Sequence, residues 1–132
     1  MINGKGTDLR ALRDTILTNC TALLADPTLT DRQRQRMDEI QRAAKSLSEA
    51  IDEYYGHVNG NDPRYRLMYA VRTPLAMIHL ATYLLGVYHE RSTEPFTNHQ
   101  RTCIRGIDES GRRIVIEVER LWAEMLAERN QV

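Results

Sequence analysis

The sequence predicts an all-α protein, an antiparallel four-helix bundle made of two helical hairpins. Apolar residues recur at spacings of three and four along four long segments, which is the period of one face of an α-helix. Short stretches rich in turn and helix-cap residues separate these segments. Glycine and proline are sparse, and strand-like alternation is absent from the sequence. Four amphipathic helices with short connections favour a bundle of this kind.

The chain of 132 residues is long enough for one domain with its own core, spanning 1–132. Its 18 Lys and Arg residues balance its 18 Asp and Glu residues, which argues against binding nucleic acid or an anionic membrane through bulk charge. The sequence shows neither a signal-peptide apolar region nor an apolar run of the roughly 18 residues needed to span a bilayer. Cys20 and Cys103 have no metal-type spacing and indicate free thiols. We therefore expect a soluble cytoplasmic protein without a cofactor or a metal.

The first helix is expected at about 8–25, after a loose tail at 1–7. Asp8 is a suitable N-cap, and Pro27 ends the helix because a residue that precedes proline is disfavoured in the helical region. The apolar stripe consists of Leu9, Leu12, Ile16, Cys20 and Leu23.

The second helix completes a first hairpin at 8–55. Thr30 and Gln33 form a capping-box pattern at its start. Beyond this cap the apolar residues keep an unbroken three-four spacing, which is typical of helices that pack nearly parallel to one another. They are Met37, Ile40, Ala44, Leu47, Ile51 and Tyr54.

The second hairpin is expected at 62–130. Asp62 is an N-cap followed by Pro63 at the first helical position, and the third helix runs to about Arg91. Pro74 lies inside it, where proline removes a hydrogen bond and costs roughly 3 kcal/mol. We therefore expect a continuous but bent helix, with Pro74 in a structural role. Its predicted core positions are Met68, Val71, Leu75, Ile78, Thr82 and Leu85.

The fourth helix begins at a second capping box, Thr97 to Gln100, and frays near Asn130. Its predicted core positions are Ile104, Ile107, Gly111, Ile114, Val118, Leu121 and Met125.

The two halves of the chain resemble each other, which indicates an internal repeat. Residues 9–16 align with 68–75 at an offset of 59, and the two capping boxes align at an offset of 67. The offset of 67 also pairs Ile40 with Ile107, Lys45 with Arg112, Leu47 with Ile114, Ile51 with Val118, and Tyr55 with Trp122. Two hairpins in one chain would complete a bundle by themselves, so either a monomer or a homodimer is compatible with the sequence.

The stretch from Tyr69 to Leu75 resembles the H-box of sensor histidine kinases, whose pattern reads His-Glu-Leu-Arg-Thr-Pro-Leu. That box lies on the first helix of the dimerisation and histidine-phosphotransfer domain of this family. The second helix of the family tends to read Ile-x-x-Ser/Ala-x-x-x-Leu-x-x-x-Ile, which is similar to the chain from Ile40 to Ile51. In this sequence, Tyr69 stands at the position of the phosphoryl-accepting histidine and Ala70 at that of its partner glutamate.

The resemblance implies a binding protein from which the transfer step has been lost. A tyrosine phenol has a pKa near 10 and forms a far less labile phosphate ester. We expect a non-enzymatic signalling protein that binds a response-regulator receiver domain or a sensor histidine kinase as an adaptor, decoy or inhibitor. The expected binding face centres on Tyr69, Arg72 and Thr73, with Arg10 and Arg13 at the matching positions of the first half.

Two alternatives stay open at this point. The protein is a histidine phosphotransferase if a histidine outside the H-box accepts the phosphoryl group; His79 is the candidate, although its position predicts a partly buried histidine on the flank of the bundle. It is a plain helical-bundle interaction module if the H-box resemblance is coincidental. The sequence does not identify the partner or say whether binding activates or inhibits it.

Overall fold

The computed structural model describes residues 8–56, 62–91 and 96–130, and the side chains of 87–91 lie outside this description. Within the described ranges the chain forms four α-helices and no strand. They are α1 (Leu9–Leu24), α2 (Asp31–Gly56), α3 (Pro63–Arg91) and α4 (Asn98–Asn130). The expected all-α, four-helix fold class is confirmed. The expected tail at 1–7 lies outside the described residues.

The four helices pack as an antiparallel ring. α1 and α3 each contact both α2 and α4, and within the described ranges no close backbone contact crosses either diagonal. Ion pairs between helix ends give the directions. Arg13 near the start of α1 pairs with Asp52 near the end of α2, and Arg64 at the start of α3 pairs with Glu128 near the end of α4. Each helix therefore has one neighbour in its own hairpin and one in the other hairpin, and the four helices enclose one core.

The helices begin where local capping chemistry starts them. In α2 the Thr30 N–H donates to Gln33 Oε1 at 2.9 Å, and the Gln33 N–H donates to Thr30 Oγ1 at 3.1 Å. In α4 the reciprocal bonds between Thr97 and Gln100 have the same lengths, 2.9 and 3.1 Å. Each box satisfies two backbone groups that a helix start otherwise leaves unpaired.

The core contains most of the predicted apolar stripe of every helix. Four predicted core positions are only half-buried and pack against its edge: Tyr54, Met68, Ile104 and Leu121. Met68, which the spacing placed in the core, is only half-buried and lies at the edge facing α4. Leu67 is buried in its place, at 2% exposure. Adjacent apolar residues fit the same helical period about equally well, and the packing of α3 against its neighbours decides which of the two faces inward.

Pro74 lies inside α3 without ending it. The helix continues from Pro63 to Arg91, and Pro74 is buried beside Val71 and Leu75. The carbonyl of Ala70 lacks the usual hydrogen bond from position 74, because proline has no N–H. Ala70 is exposed, so water can satisfy that carbonyl. The continuous helix agrees with the expectation, whereas the bend at Pro74 stays a prediction.

Candidate partner-binding face on α3 and α4

An aromatic cluster lies where the start of α3 meets the end of α4. It consists of Tyr65, Tyr69 and Trp122. The ring centroids of Tyr65 and Tyr69 are 5.0 Å apart, and Trp122 lies 5.8 Å from Tyr65 and 6.3 Å from Tyr69. Tyr65 and Tyr69 share one helix face because they are four residues apart, and the antiparallel α4 brings Trp122 beside them. Tyr69 is still 52% exposed, so the cluster forms part of the protein surface.

Arg72 extends the aromatic cluster by one helical turn. Its guanidinium carbon lies 5.8 Å from the centroid of the Tyr69 ring, within the range of a cation–π contact. Arg72 forms no ion pair with any residue in the described part of the chain. Arg72 and the adjacent Thr73 are both exposed. The structure thus brings Tyr69, Arg72 and Thr73 together on the surface of α3, with an uncompensated positive charge among them.

A groove between α3 and α4 begins beside Arg72 and has a volume of about 460 Å³. Its lining includes Val71 and Leu75 of α3 and Val118 of α4, all of which are buried. Arg72 and Glu119 line it as well, one from each helix. The groove therefore combines an apolar surface with one positive and one negative side chain.

Arg13, the residue aligned with Arg72, is committed to partners within the bundle. Its side chain is only 13% exposed. Its guanidinium pairs with Asp52 across the α1–α2 contact and with Asp14 at 2.8 Å, and it lies 3.5 Å from the Ser48 hydroxyl. Burial acts to lower the pKa of Arg13, but the hydrogen bonds to Asp52 and Asp14 outweigh it and leave that pKa raised. The Arg13 side chain is therefore occupied by contacts within the first hairpin, and among the described residues that face offers no unpaired arginine to a partner.

Arg10, aligned with Tyr69, takes part in a local contact of the first hairpin. Its guanidinium carbon lies 4.1 Å from the Tyr55 ring centroid, and its side chain also reaches Asp8 at 3.4 Å. The Tyr55 hydroxyl donates to Asp8 Oδ1 at 3.0 Å. The backbone N–H of Arg10 is the largest cause of the lowered pKa of Asp8. Arg10 is thus exposed, but its side chain contacts the N-cap residue Asp8 and the Tyr55 ring.

Equivalent positions in the two hairpins lie on the same helix–helix face. Arg13 faces Asp52 across α1 and α2. The offsets of 59 and 67 convert this pair into Arg72 and Glu119, which line one groove across α3 and α4. The first pair forms an ion pair and the second lines a shared groove without one, so two positions related by different offsets share one face in each half, as a duplicated hairpin would produce.

The two halves also differ in the residue on the second helix of each hairpin that lies on the arginine's face. Ser48 offers its hydroxyl to Arg13 at 3.5 Å, whereas its counterpart at the offset of 67 is Val115, which has no acceptor. Val115 is exposed and lines the α3–α4 groove. In the second half the arginine lies against the Tyr69 ring and the groove is open.

His79 lies further along α3, on a more open surface than its predicted flank position indicates. Its side chain is 64% exposed, and its Nδ1 lies 3.9 Å from Asp108 Oδ1 on α4. The Asp108 carboxylate also accepts a hydrogen bond from Arg112 at 3.0 Å and contacts the Thr82 hydroxyl at 3.4 Å. The expectation of a partly buried His79 is therefore wrong, because its side chain lies at the open rim between α3 and α4.

The outward face of α3 carries an apolar stripe that the sequence reasoning missed. Met77, Leu80 and Tyr83 are 46%, 58% and 63% exposed. Together with Tyr65 and Tyr69 they make α3 apolar on its solvent side as well as on its core side. Exposed apolar patches of this kind mark interaction sites more often than scattered single residues do. A second three-four spacing on α3, read separately from the core positions, would have revealed the stripe.

Within 8–56, 62–91 and 96–130, no helix is both long enough and apolar enough to cross a membrane. No three His, Cys, Asp or Glu side chains in those ranges gather as metal ligands would. No protein-family model, curated protein or solved structure matches this chain.

Proposed function

We propose that this chain is a non-enzymatic signalling protein whose degenerate histidine-kinase-like bundle binds a response-regulator receiver domain or a sensor histidine kinase. It would act as an adaptor, decoy or inhibitor. The observation that carries the proposal is the aromatic cluster with the uncompensated Arg72 beside an open groove. These residues occupy the stretch that resembles the H-box.

The chemistry of this face suits protein binding. Tyrosine, tryptophan and arginine are the residues most enriched at the energetic centres of protein interfaces. Tyr65, Tyr69 and Trp122 support one another through ring contacts of 5.0 to 6.3 Å, so little side-chain freedom is left to lose on binding. Arg72 adds a charge that a carboxylate of the partner would pair with.

The same positions speak against phosphoryl transfer at the H-box. The phenol of Tyr69 would need activation by a nearby base to act as a nucleophile. Its ring instead contacts Tyr65, Trp122 and the guanidinium of Arg72. Position 70 is an alanine, so the acid that accompanies the histidine in the family is missing. Binding without chemistry is the function that these residues support best.

The proposal includes a duplicated hairpin with one binding face per chain. Matching capping boxes and the equivalent Arg13–Asp52 and Arg72–Glu119 positions support the duplication. A symmetric homodimer of hairpins would offer two equal faces. Here the first hairpin is closed by Arg13 and the second is open, so we expect one partner domain to bind each chain.

The test is a binding measurement by biolayer interferometry against the purified receiver domains and kinase dimerisation domains of the host. Tyr69→Asp and Arg72→Glu are expected to weaken the cognate complex at least tenfold, because each places a carboxylate at the centre of the face. Arg42→Glu is the matched control, since Arg42 is exposed on α2. No binding by any receiver or kinase domain, or equal binding by all three variants, would contradict the proposal and leave a plain interaction module.

A second candidate, histidine phosphotransfer at His79, rests on the exposed ring beside Asp108. A carboxylate near Nδ1 favours the tautomer that carries its proton there, which leaves Nε2 as the nucleophile. In the reaction an N–P bond would form at Nε2 as the bond to phosphorus in a donor phosphohistidine or phosphoaspartate breaks. Acid-labile radiolabel that His79→Ala abolishes and Arg42→Gln retains would support this function. Absence of label from every phosphorylated kinase or receiver of the host would reject it.

A further inference from the structure

Toward the end of α3, the space between α3 and α4 forms a second hollow of about 300 Å³. Buried Phe96 and Thr82 and half-buried Ile104 line it, and Tyr83 stands 63% exposed at its side. Tyr83 lies 14 residues beyond Tyr69, which is about 21 Å along a helix. The hollow is therefore separate from the aromatic cluster.

Arginine side chains surround this hollow. Among the described residues, Arg101, Arg105 and Arg112 line it together with a single carboxylate, that of Asp108. Asp108 accepts a hydrogen bond from Arg112 at 3.0 Å, and Arg101 donates to the side-chain oxygen of Asn98 at 3.0 Å. Arg105 forms no ion pair with any described residue. In the described lining, three arginines against one aspartate leave a local positive excess, whereas the net formal charge of the chain is zero. We call this site the basic hollow.

A glycine that packing does not require also lines the basic hollow. Glycine inside a helix costs about 1 kcal/mol relative to alanine, and close packing is the usual compensation. At Gly106 an added Cβ would lie 2.6 Å from the side chain of Asn19, so packing explains that glycine. At Gly86 an added Cβ would meet nothing within 4 Å. Gly86 lines the hollow, and its missing side chain leaves that space open.

We propose that the basic hollow binds a small amphiphilic anion, a molecule with an apolar body of ring size and one carboxylate, sulfonate or phosphate group. Its volume lies at the lower end of the range for small-molecule sites, roughly 300 to 1,000 Å³. Phe96, Ile104 and Tyr83 supply the apolar contact. Arg101 and Arg105 supply guanidinium groups, which bind such anions through two parallel hydrogen bonds.

The charge excludes the other simple occupant, a metal cation. A divalent cation needs carboxylate or imidazole ligands. Among the described lining residues these are only Asp108, already paired with Arg112, and His79, too few for a cation site among three arginines. An entirely apolar ligand would leave Arg105 without an ion pair among the described residues and Arg101 with only its bond to Asn98. The hollow therefore fits an anion that also has an apolar part.

The test uses 8-anilinonaphthalene-1-sulfonate as the probe and N-phenyl-1-naphthylamine, which has nearly the same rings without the sulfonate, as the neutral control. Calorimetric titration of the full chain is expected to show one saturable sulfonate site. The neutral compound should bind at least tenfold more weakly, because it cannot engage the arginines. No sulfonate binding up to 1 mM, or several weak sites per chain, would overturn the proposal.

Two variants separate the anion contact from the apolar contact. The double variant Arg101→Gln with Arg105→Gln should weaken sulfonate binding at least tenfold and leave the neutral compound within twofold. Arg42→Gln is the matched control on α2 and should change neither. Gly86→Leu should abolish binding of both compounds, because its side chain occupies the hollow.

The Gly86→Leu variant is expected to fold, so a loss of binding can be distinguished from misfolding. Because a Cβ at position 86 meets no neighbour and leucine favours helix more than glycine does, Gly86→Leu should unfold at an equal or higher urea concentration. Undiminished sulfonate binding by this folded variant would contradict the proposal. Tyr69→Asp should leave sulfonate binding intact, so this inference and the proposed partner binding can fail independently.

Discussion

Replacing Gln100 with alanine is expected to destabilise the protein more than the same change at Gln33. Both glutamines complete a capping box with bonds of 2.9 and 3.1 Å, and they are similarly buried, at 2% and 6% exposure. Gln100 alone also reaches the turn that follows α1. Its Nε2 donates to Asp26 Oδ2 at 3.0 Å and to Thr28 Oγ1 at 2.8 Å.

The expected difference follows from the bonds that only one glutamine makes. Loss of the capping bond costs about 1 kcal/mol at either site. Gln100→Ala also removes the hydrogen bond to the Thr28 hydroxyl, worth about 1 kcal/mol more, and the contact with Asp26 in addition. The free energy of unfolding should therefore fall by about 1 kcal/mol for Gln33→Ala and by at least about 2 kcal/mol for Gln100→Ala.

Urea unfolding followed by circular dichroism at 222 nm measures both losses, because α-helix dominates the fold. Equal losses for the two alanine variants would refute the assignment of Gln100 as the link between α4 and the α1–α2 turn. Gln100→Glu provides a further check. It keeps the capping acceptor but places a carboxylate against Asp26, so it should destabilise at neutral pH and recover part of the loss as the pH falls through the raised pKa of the new carboxyl.

Three further predictions concern packing, pH and thiol chemistry. A Cβ at Gly106 would lie 2.6 Å from the Asn19 side chain, so this clash should offset the helix-propensity gain of Gly106→Ala and keep the change in stability below about 0.5 kcal/mol. In an Asn19→Ala background the same substitution should stabilise the protein by about 1 kcal/mol. Equal effects of Gly106→Ala in the two backgrounds, measured by urea unfolding, would argue against the close contact. The side-chain hydrogen bond from Arg64 is the largest cause of the lowered pKa of Asp62. This contribution is present above the carboxyl's unfolded pKa of roughly 4 and is lost as the pH falls, so Arg64→Met should reduce the loss of stability between about pH 5 and pH 3; an unchanged pH profile would contradict the pairing. Burial raises the pKa of Cys20 to about 12, so the thiol should react with iodoacetamide at pH 8 only as the protein unfolds, and rapid alkylation of the folded chain would refute that environment.

The helix starts were predictable because they depend on residues that are close in sequence. Thr30 and Gln33 contain the whole of their capping box, and so do Thr97 and Gln100. The choice of Leu67 over Met68 for the core was not predictable. Both residues fit the helical period, and the rotation of α3 depends on helices far away in the sequence.

The candidate site was predictable in part. The resemblance to the H-box selected Tyr69 and Arg72, and both lie on one exposed surface. Trp122 could not be assigned to that surface, because its contact with Tyr69 depends on the axial position of α4 relative to α3. The same limit applies to Arg13. Its contacts with Ser48 and Asp52 on α2 depend on how the two helices pack, which the spacing of residues along one helix does not reveal.

The most direct test of the account is a ¹H–¹⁵N titration of the labelled chain with its cognate receiver or kinase domain. We expect saturable shift changes confined to α3 and α4 around Tyr69, Arg72 and Trp122, at one partner per chain, with the matching surface of Arg10 and Arg13 unchanged. Changes centred on the first hairpin, or equal changes on both hairpins, would contradict the claim that the H-box-like stretch of the second hairpin is the docking surface.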